Sequence, residues 1–147
     1  MTRRKADSVQ AIERELGVLL HRVRRTTVEN ARAVHPDLQP AAYSILLYVI
    51  DHHGTHASDV VDHFGIDKGA VSRHVAQLER LGLVERHCDP EDRRAQSIEA
   101  SAVALERVAA LREARRAAYA GRLASWTAPA LEEFSEQLRN YNALLEG

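Results

Sequence analysis

A single cysteine, Cys88, in 147 residues leaves no partner for an intramolecular disulfide and no thiolate cluster for a metal. No apolar run approaches the roughly 20 residues that a membrane-spanning helix needs. The first residues, MTRRKADSVQ, are basic but lack the apolar core of a signal peptide. Cytoplasmic residence, with no membrane partner, is the resulting expectation. Enzyme signatures are missing too: there is no GxSxG, P-loop, GxGxxG or HExxH, and no paired carboxylates in an evident cleft. The expectation is a protein that is not an enzyme and needs no cofactor. Repeats and low-complexity tracts are also absent, and a 45% hydrophobic chain of this length suits one core and a single domain over 1–147.

Excess positive charge is lacking as well. The formal charge is −1, which does not announce a nucleic-acid binder. Residues 1–32 hold eight Lys/Arg against four Asp/Glu, 33–66 none against four, 67–94 six of each, and 95–147 six against seven. Any affinity for DNA then rests on placed arginines, and nonspecific binding is expected to be modest.

What is present concentrates in residues 67–100. In DKGAVSRHVAQLERLGLVER, Asp67 stands where an N-cap stands. Val71, Val75, Leu78 and Leu81 form one apolar stripe at helical period, and Gly82 follows where a helix stops in a left-handed residue. The other face carries Lys68, Gly69, Ser72, Arg73, Ala76, Gln77 and Arg80, with Glu79 at its margin. Small residues allow close approach to a major groove, Arg and Gln pair with base edges, and Ser meets phosphate. An ordinary surface helix is the bland alternative. Residues 55–64, THASDVVDHF, read as a short preceding helix with Ala57, Val60, Val61 and Phe64 inward, and Gly65-Ile66 as the tight turn between the two. Helix, tight turn and helix make a helix-turn-helix unit.

After that unit, residues 83–86 read as a strand, DPED at 89–92 as a turn, and 95–99 as a returning strand. Arg93 and Arg94 fall at the return, where a ribbon tip can enter a narrow minor groove. The alternative for them is a hairpin salt bridge to Asp89 or Asp92. The expectation is that one arginine is held by Asp92 and the other presented to DNA.

The order of these motifs, AVSRHVAQLERLGLVER followed by DPEDRRA, resembles the MarR family of multiple antibiotic resistance regulators, whose DxRA element is present as Asp92-Arg93-Arg94-Ala95. The resemblance implies a mostly α (α+β) winged helix-turn-helix fold, with a DNA-binding lobe over about 38–100 and dimerisation helices over about 8–34 and 102–147. It implies a homodimeric regulator, a repressor bound to pseudo-palindromic double-stranded DNA. Ser72 and Arg73 match the family's groove-contacting pair, Arg94 its wing-tip arginine and Asp92 the acid that orients the wing. Two departures stand out. Ala100-Ser101 replaces the usual Leu-Thr, which suggests a looser strand-to-helix junction although Ser101 can still cap. Gln39 precedes Pro40 where a Thr cap is common.

The flanking segments read as helices over 8–33 (capped by Asp7 or Ser8), 41–52, 102–125 and about 129–145, the last capped by Thr127. The helix over 41–52 is apolar nearly all round and therefore central. Ile12, Leu16, Leu19 and Val23, and likewise Leu131, Phe134, Leu138, Tyr141 and Leu145, step by threes and fours as helix-packing seams do. Pairing across a two-fold axis is the expected use, and intrachain packing of the two ends the alternative. The resemblance further implies a small aromatic or apolar effector between the dimer helices and the winged lobe, with His21, Arg25, Tyr43 and Leu47 as candidate lining. A metal-responsive regulator is weaker: His52, His53 and His56 cluster, but no HxxxH pair lies on a helix and no cysteine joins them, so no metal site is assigned. Cys88 beside His87 as a redox sensor is weaker too, a semi-buried strand thiol being the plain reading. A winged-helix protein-interaction module is the remaining alternative, although such a module has no need of DPEDRRA.

Overall fold

A computed structural model describes residues 2–92 and 94–146. The elements run α1 (Arg3–Val34), α2 (Pro40–Asp51), β1 (Thr55–His56), α3 (Ala57–Phe64), α4 (Lys68–Arg80), β2 (Val84–Cys88), β3 (Gln96–Ala100), α5 (Ala102–Arg122) and α6 (Ala128–Leu145). They fall into two compact units, Met1–Ala110 and Leu111–Gly147, with α5 running across the division. No helix among the described residues is long and apolar enough to cross a membrane.

The first unit holds the core. Val34, Ile45, Leu46, Val49, Val60, Val71, Val75, Leu78, Leu83, Ile98 and Val108 are each under 2% exposed or at 2%. Full burial of one such side chain stabilises by about 1.5–3 kcal/mol. α2 supplies Ala42, Tyr43, Ile45, Leu46 and Val49 to this core, as its continuous apolar character predicts. β1, β3 and β2 form an antiparallel sheet in that order, with Thr55 opposite Ile98 and Arg86 opposite Ile98 on the other edge.

Several boundaries differ from the sequence reading. α1 begins at Arg3, not near residue 8, and Ser8 Oγ donates to the Arg4 carbonyl at 3.0 Å instead of capping. Arg, Lys and Ala in that first stretch are strong helix formers, so no stop forces a later start. Thr55 and His56 are strand, not the start of α3. Thr55 is 2% exposed, and its hydroxyl donates to the His52 carbonyl, which satisfies the buried oxygen. The wing strands lie one or two residues later than expected, at 84–88 and 96–100, and α5 ends at Arg122, three residues before 125.

The two departures from the family pattern have distinct consequences. Gln39 makes no side-chain cap on α2, as expected. Ser101, by contrast, ties the strand-to-helix junction closely. Its Oγ accepts from the Ala104 N–H at 3.2 Å and donates to the Gly82 carbonyl at 2.7 Å, while its N–H reaches the Leu83 carbonyl at 3.0 Å. Ser101 thus caps α5, as its position in the chain predicts.

In the second unit, Thr127 Oγ1 accepts from the Ala130 N–H at 3.4 Å to start α6, and Pro129 occupies a first-turn position where an N–H has no partner anyway. The Trp126 and Phe134 rings meet edge to face at 5.6 Å.

Candidate nucleic-acid interface

α3, a tight turn and α4 make the helix-turn-helix. Gly65 ends α3 at φ +63°, the left-handed turn residue expected there. Asp67 Oδ1 then accepts the Ala70 N–H at 2.8 Å and starts α4. At the far end the Gly82 N–H reaches the Glu79 carbonyl and the Leu83 N–H the Leu78 carbonyl, with Gly82 at φ +71°. This is a Schellman stop, closed by the buried pair Leu78 and Leu83.

With Val71, Val75 and Leu78 facing the core, Lys68, Gly69, Ser72, Arg73, Ala76 and Arg80 are left exposed on α4. A Cβ on Gly69 would stand 3.5 Å from Arg73 Nη1 and 3.0 Å from Asp67 Oδ1. The first distance is ordinary contact; the second is tight, against the oxygen that caps the helix. Gln77 behaves differently from a free base-reading amide. It is half-buried, its Oε1 accepts from the Gln39 N–H and its Nε2 donates to the Asp37 carbonyl, both at 3.3 Å.

β2 and β3 form the ribbon of the wing, paired from Val84 opposite Ala100 to Cys88 opposite Gln96. Two aspartates shape its tip. Asp89 Oδ1 accepts the Glu91 N–H and Asp92 Oδ1 the Arg94 N–H, each at 2.9 Å. Asp92 thus holds the backbone of Arg94 rather than its guanidinium, and the Arg94 side chain is exposed. Arg93 lies outside the described residues. An Arg86–Glu79 ion pair joins β2 to α4, a link the sequence reading did not contain. β1 pairs with the other edge of β3, Thr55 opposite Ile98 and His56 opposite Ser97, and just before it the Gly54 N–H donates to Glu99 Oε1 at 2.9 Å; the His56 N–H donates to Asp59 Oδ2 at 2.7 Å, at the start of α3. A two-residue strand is too short to show alternation, which is why sequence periodicity missed it.

The other candidate residues fall as follows. His21 and Arg25 lie one turn apart on the exposed surface of α1, where Arg25 pairs with Glu29 at 3.1 Å. Tyr43 and Leu47 lie one turn apart on α2, Tyr43 buried and Leu47 half-buried. On α1, Ile12 is exposed and Leu16 half-buried; on α6, Phe134, Leu138 and Leu145 are exposed and Leu131 and Tyr141 half-buried. Cys88 is an exposed free thiol, not a semi-buried one. Among the described residues no group of three His, Cys, Asp or Glu is placed to hold a metal.

A family model described as the MarR family matches residues 37–95. No curated protein sequence matches the chain. Solved structures give the fold along its length. A MarR family protein from Bacillus stearothermophilus superposes with a TM-score of 0.79 at 17% identity, over 100% of this chain and 99% of that one. A putative MarR family transcriptional regulator from Listeria monocytogenes, complexed with 26mer DNA, gives 0.68 at 15% identity over 90% and 87%. A mutant MepR from S. aureus, bound to an oligodeoxyribonucleotide, gives 0.64 at 17% over 91% and 97%. Residues 37–95 thus match the MarR family model, and the chain shares the winged-helix fold of MarR family structures along its length.

Proposed function

We propose that this chain is a sequence-specific DNA-binding regulator that acts as a homodimer on a pseudo-palindromic operator, represses from it, and is released by a small effector. The observation that carries the DNA reading is the exposed face of α4. Lys68, Gly69, Ser72 and Arg73 stand outward on a helix capped at both ends and backed by a fully buried apolar stripe. Two structural neighbours are complexed with DNA, which supports a DNA-binding role for this fold. Ser72 meets phosphate, Arg73 a base edge, and Arg94, with Arg93, the minor groove beside it. Dimerisation is supported by the exposed apolar residues of α1 and α6, which a single chain leaves in water. A two-fold dimer calls for a palindromic site.

The effector reading draws on Tyr43 and Leu47 on α2 and His21 and Arg25 on α1. They offer apolar wall and one cation, which suits a small aromatic or apolar acid.

Selection of binding sites from a randomised duplex library, followed by gel shift, tests the proposal. A palindromic consensus with strong salt dependence is expected. Recovery of no preferred sequence would refute sequence-specific binding.

A further inference from the structure

Residues 35–39 join α1 to α2, and they are held from several sides. Arg107 of α5 donates to the Val34 carbonyl at 2.7 Å, at the end of α1. Within the connection, the Asp37 N–H reaches His35 Nδ1 at 3.1 Å and the Leu38 N–H the His35 carbonyl at 3.0 Å. Leu38 is buried at 3% exposure. This connection is therefore a fixed point of the first unit. Gln77 of α4 grips it with both ends of its amide, at the Asp37 carbonyl and the Gln39 N–H.

From this we infer that Gln77 is a positioning residue: its amide ties α4 to the α1–α2 connection and so sets the orientation in which Ser72 and Arg73 are presented. The inference rests on the DNA-reading proposal above. Burial of Val71, Val75 and Leu78 holds α4 to the core, but apolar contact is non-directional. Rotation and pitch need directional bonds at the helix flanks. The Glu79–Arg86 pair supplies one flank and Gln77 the other. Gln77 lies one turn after Arg73, so a change at Gln77 is felt directly at the reading residues. Both of its bonds sit at a solvent-accessible edge, where water can replace the amide. Losing the tie then costs little folding stability and mainly widens the range of α4 orientations.

That distinction gives a testable signature. A protein whose binding-competent orientation is only partly populated loses affinity by that fraction, equally for every DNA sequence. A lost base contact instead flattens preference at one base pair.

The full-length protein is compared with Gln77→Leu and Gln77→Ala on the site selected by the wild type and on every single-base-pair variant of it. Both substitutions are expected to weaken binding roughly 5- to 20-fold across the whole panel, leaving the ranking of base pairs unchanged. Melting temperature should stay near that of wild type, while amide exchange at Gln39 speeds up. Flattened preference at one base pair would make Gln77 a base reader and overturn the positioning role. So would wild-type affinity in both variants. If the wild type itself selects no sequence, the DNA-reading proposal fails and the positioning role with it. Only the earlier two results single out Gln77.

Discussion

Arg73 stands exposed on α4 one helical turn after Gly69, where a Cβ would crowd the capping Asp67 Oδ1 at 3.0 Å and meet Arg73 Nη1 at an ordinary contact distance of 3.5 Å. Replacing Arg73 with Ala should cost about 1–3 kcal/mol of operator binding, the range for a bidentate base contact. Gel-shift titration of the folded mutant measures it, and an unchanged affinity takes Arg73 off the reading surface. Gly82 bears on stability instead. Its φ of +71° is left-handed, and a Cβ at that position meets nothing within 4 Å. The cost of Gly82→Ala is thus purely conformational, about 1–2 kcal/mol, and visible as an earlier denaturant midpoint. Gly82→Asn should recover part of it, because Asn tolerates this region. Equal midpoints for all three proteins would mean that the Schellman stop contributes nothing to stability.

At the scale of the element, the wing is a short ribbon whose tip is shaped by backbone capture. Asp89 and Asp92 each accept an N–H two residues ahead, the local turn chemistry of aspartate. Asp92 holds the Arg94 backbone, and the Arg94 side chain stands exposed. Arg94→Ala should weaken binding most at A·T-rich flanks, where the minor groove is narrow. Asp92→Ala should weaken it too, by loosening the turn that aims Arg94. Hydroxyl-radical footprinting of both mutants decides the matter: flank protection that survives in Arg94→Ala would show that the wing stays out of the groove.

Across the whole chain, each of the two units leaves apolar side chains in water. Ile12, Leu19, Leu20 and Val23 on α1, and Phe134 and Leu145 on α6, are all about half exposed or more, Leu145 reaching 67%. Under the homodimer proposal these faces are covered by a second copy. Removal of residues 130–147 should then yield monomeric or insoluble protein, with steeply weakened DNA binding because a half-site is held alone. Sedimentation of the intact protein is the prior measurement, and a monomer at micromolar concentration would end both the two-fold arrangement and the palindrome. The proposed effector belongs to this scale as well. A ligand shifts the regulator only by its differential affinity for the free and DNA-competent forms, and a coupling of about 1–3 kcal/mol is enough for a switch. Phenolic acids that raise the melting temperature should also lower operator affinity. Ligand binding that survives both Arg25→Ala and Tyr43→Ala would place the pocket elsewhere.

Local signals were legible in the chain itself. Asp67, Gly65 and Gly82 mark the ends of α3 and α4 because capping and left-handed backbone are decided by the residue that adopts them. The stripe Val71, Val75 and Leu78 marks the buried face of α4 because helical period is a property of sequence spacing. DPED marks the wing turn for the same local reason. What spacing along the chain could not decide is which distant groups meet. β1 exists only because Thr55 and His56 find β3 some 40 residues on. Asp92 accepts the backbone N–H of Arg94, whose side chain is exposed, a bond that the charges along the chain did not single out. Ser101 was legible as a cap, but its bonds to the Gly82 and Leu83 carbonyls depend on the fold that brings those residues within its reach. Gln77 looks like any polar residue on the exposed side of a helix. Only the fold brings it against Asp37 and Gln39, since a hydrogen bond between positions so far apart depends on the packing that carries them together.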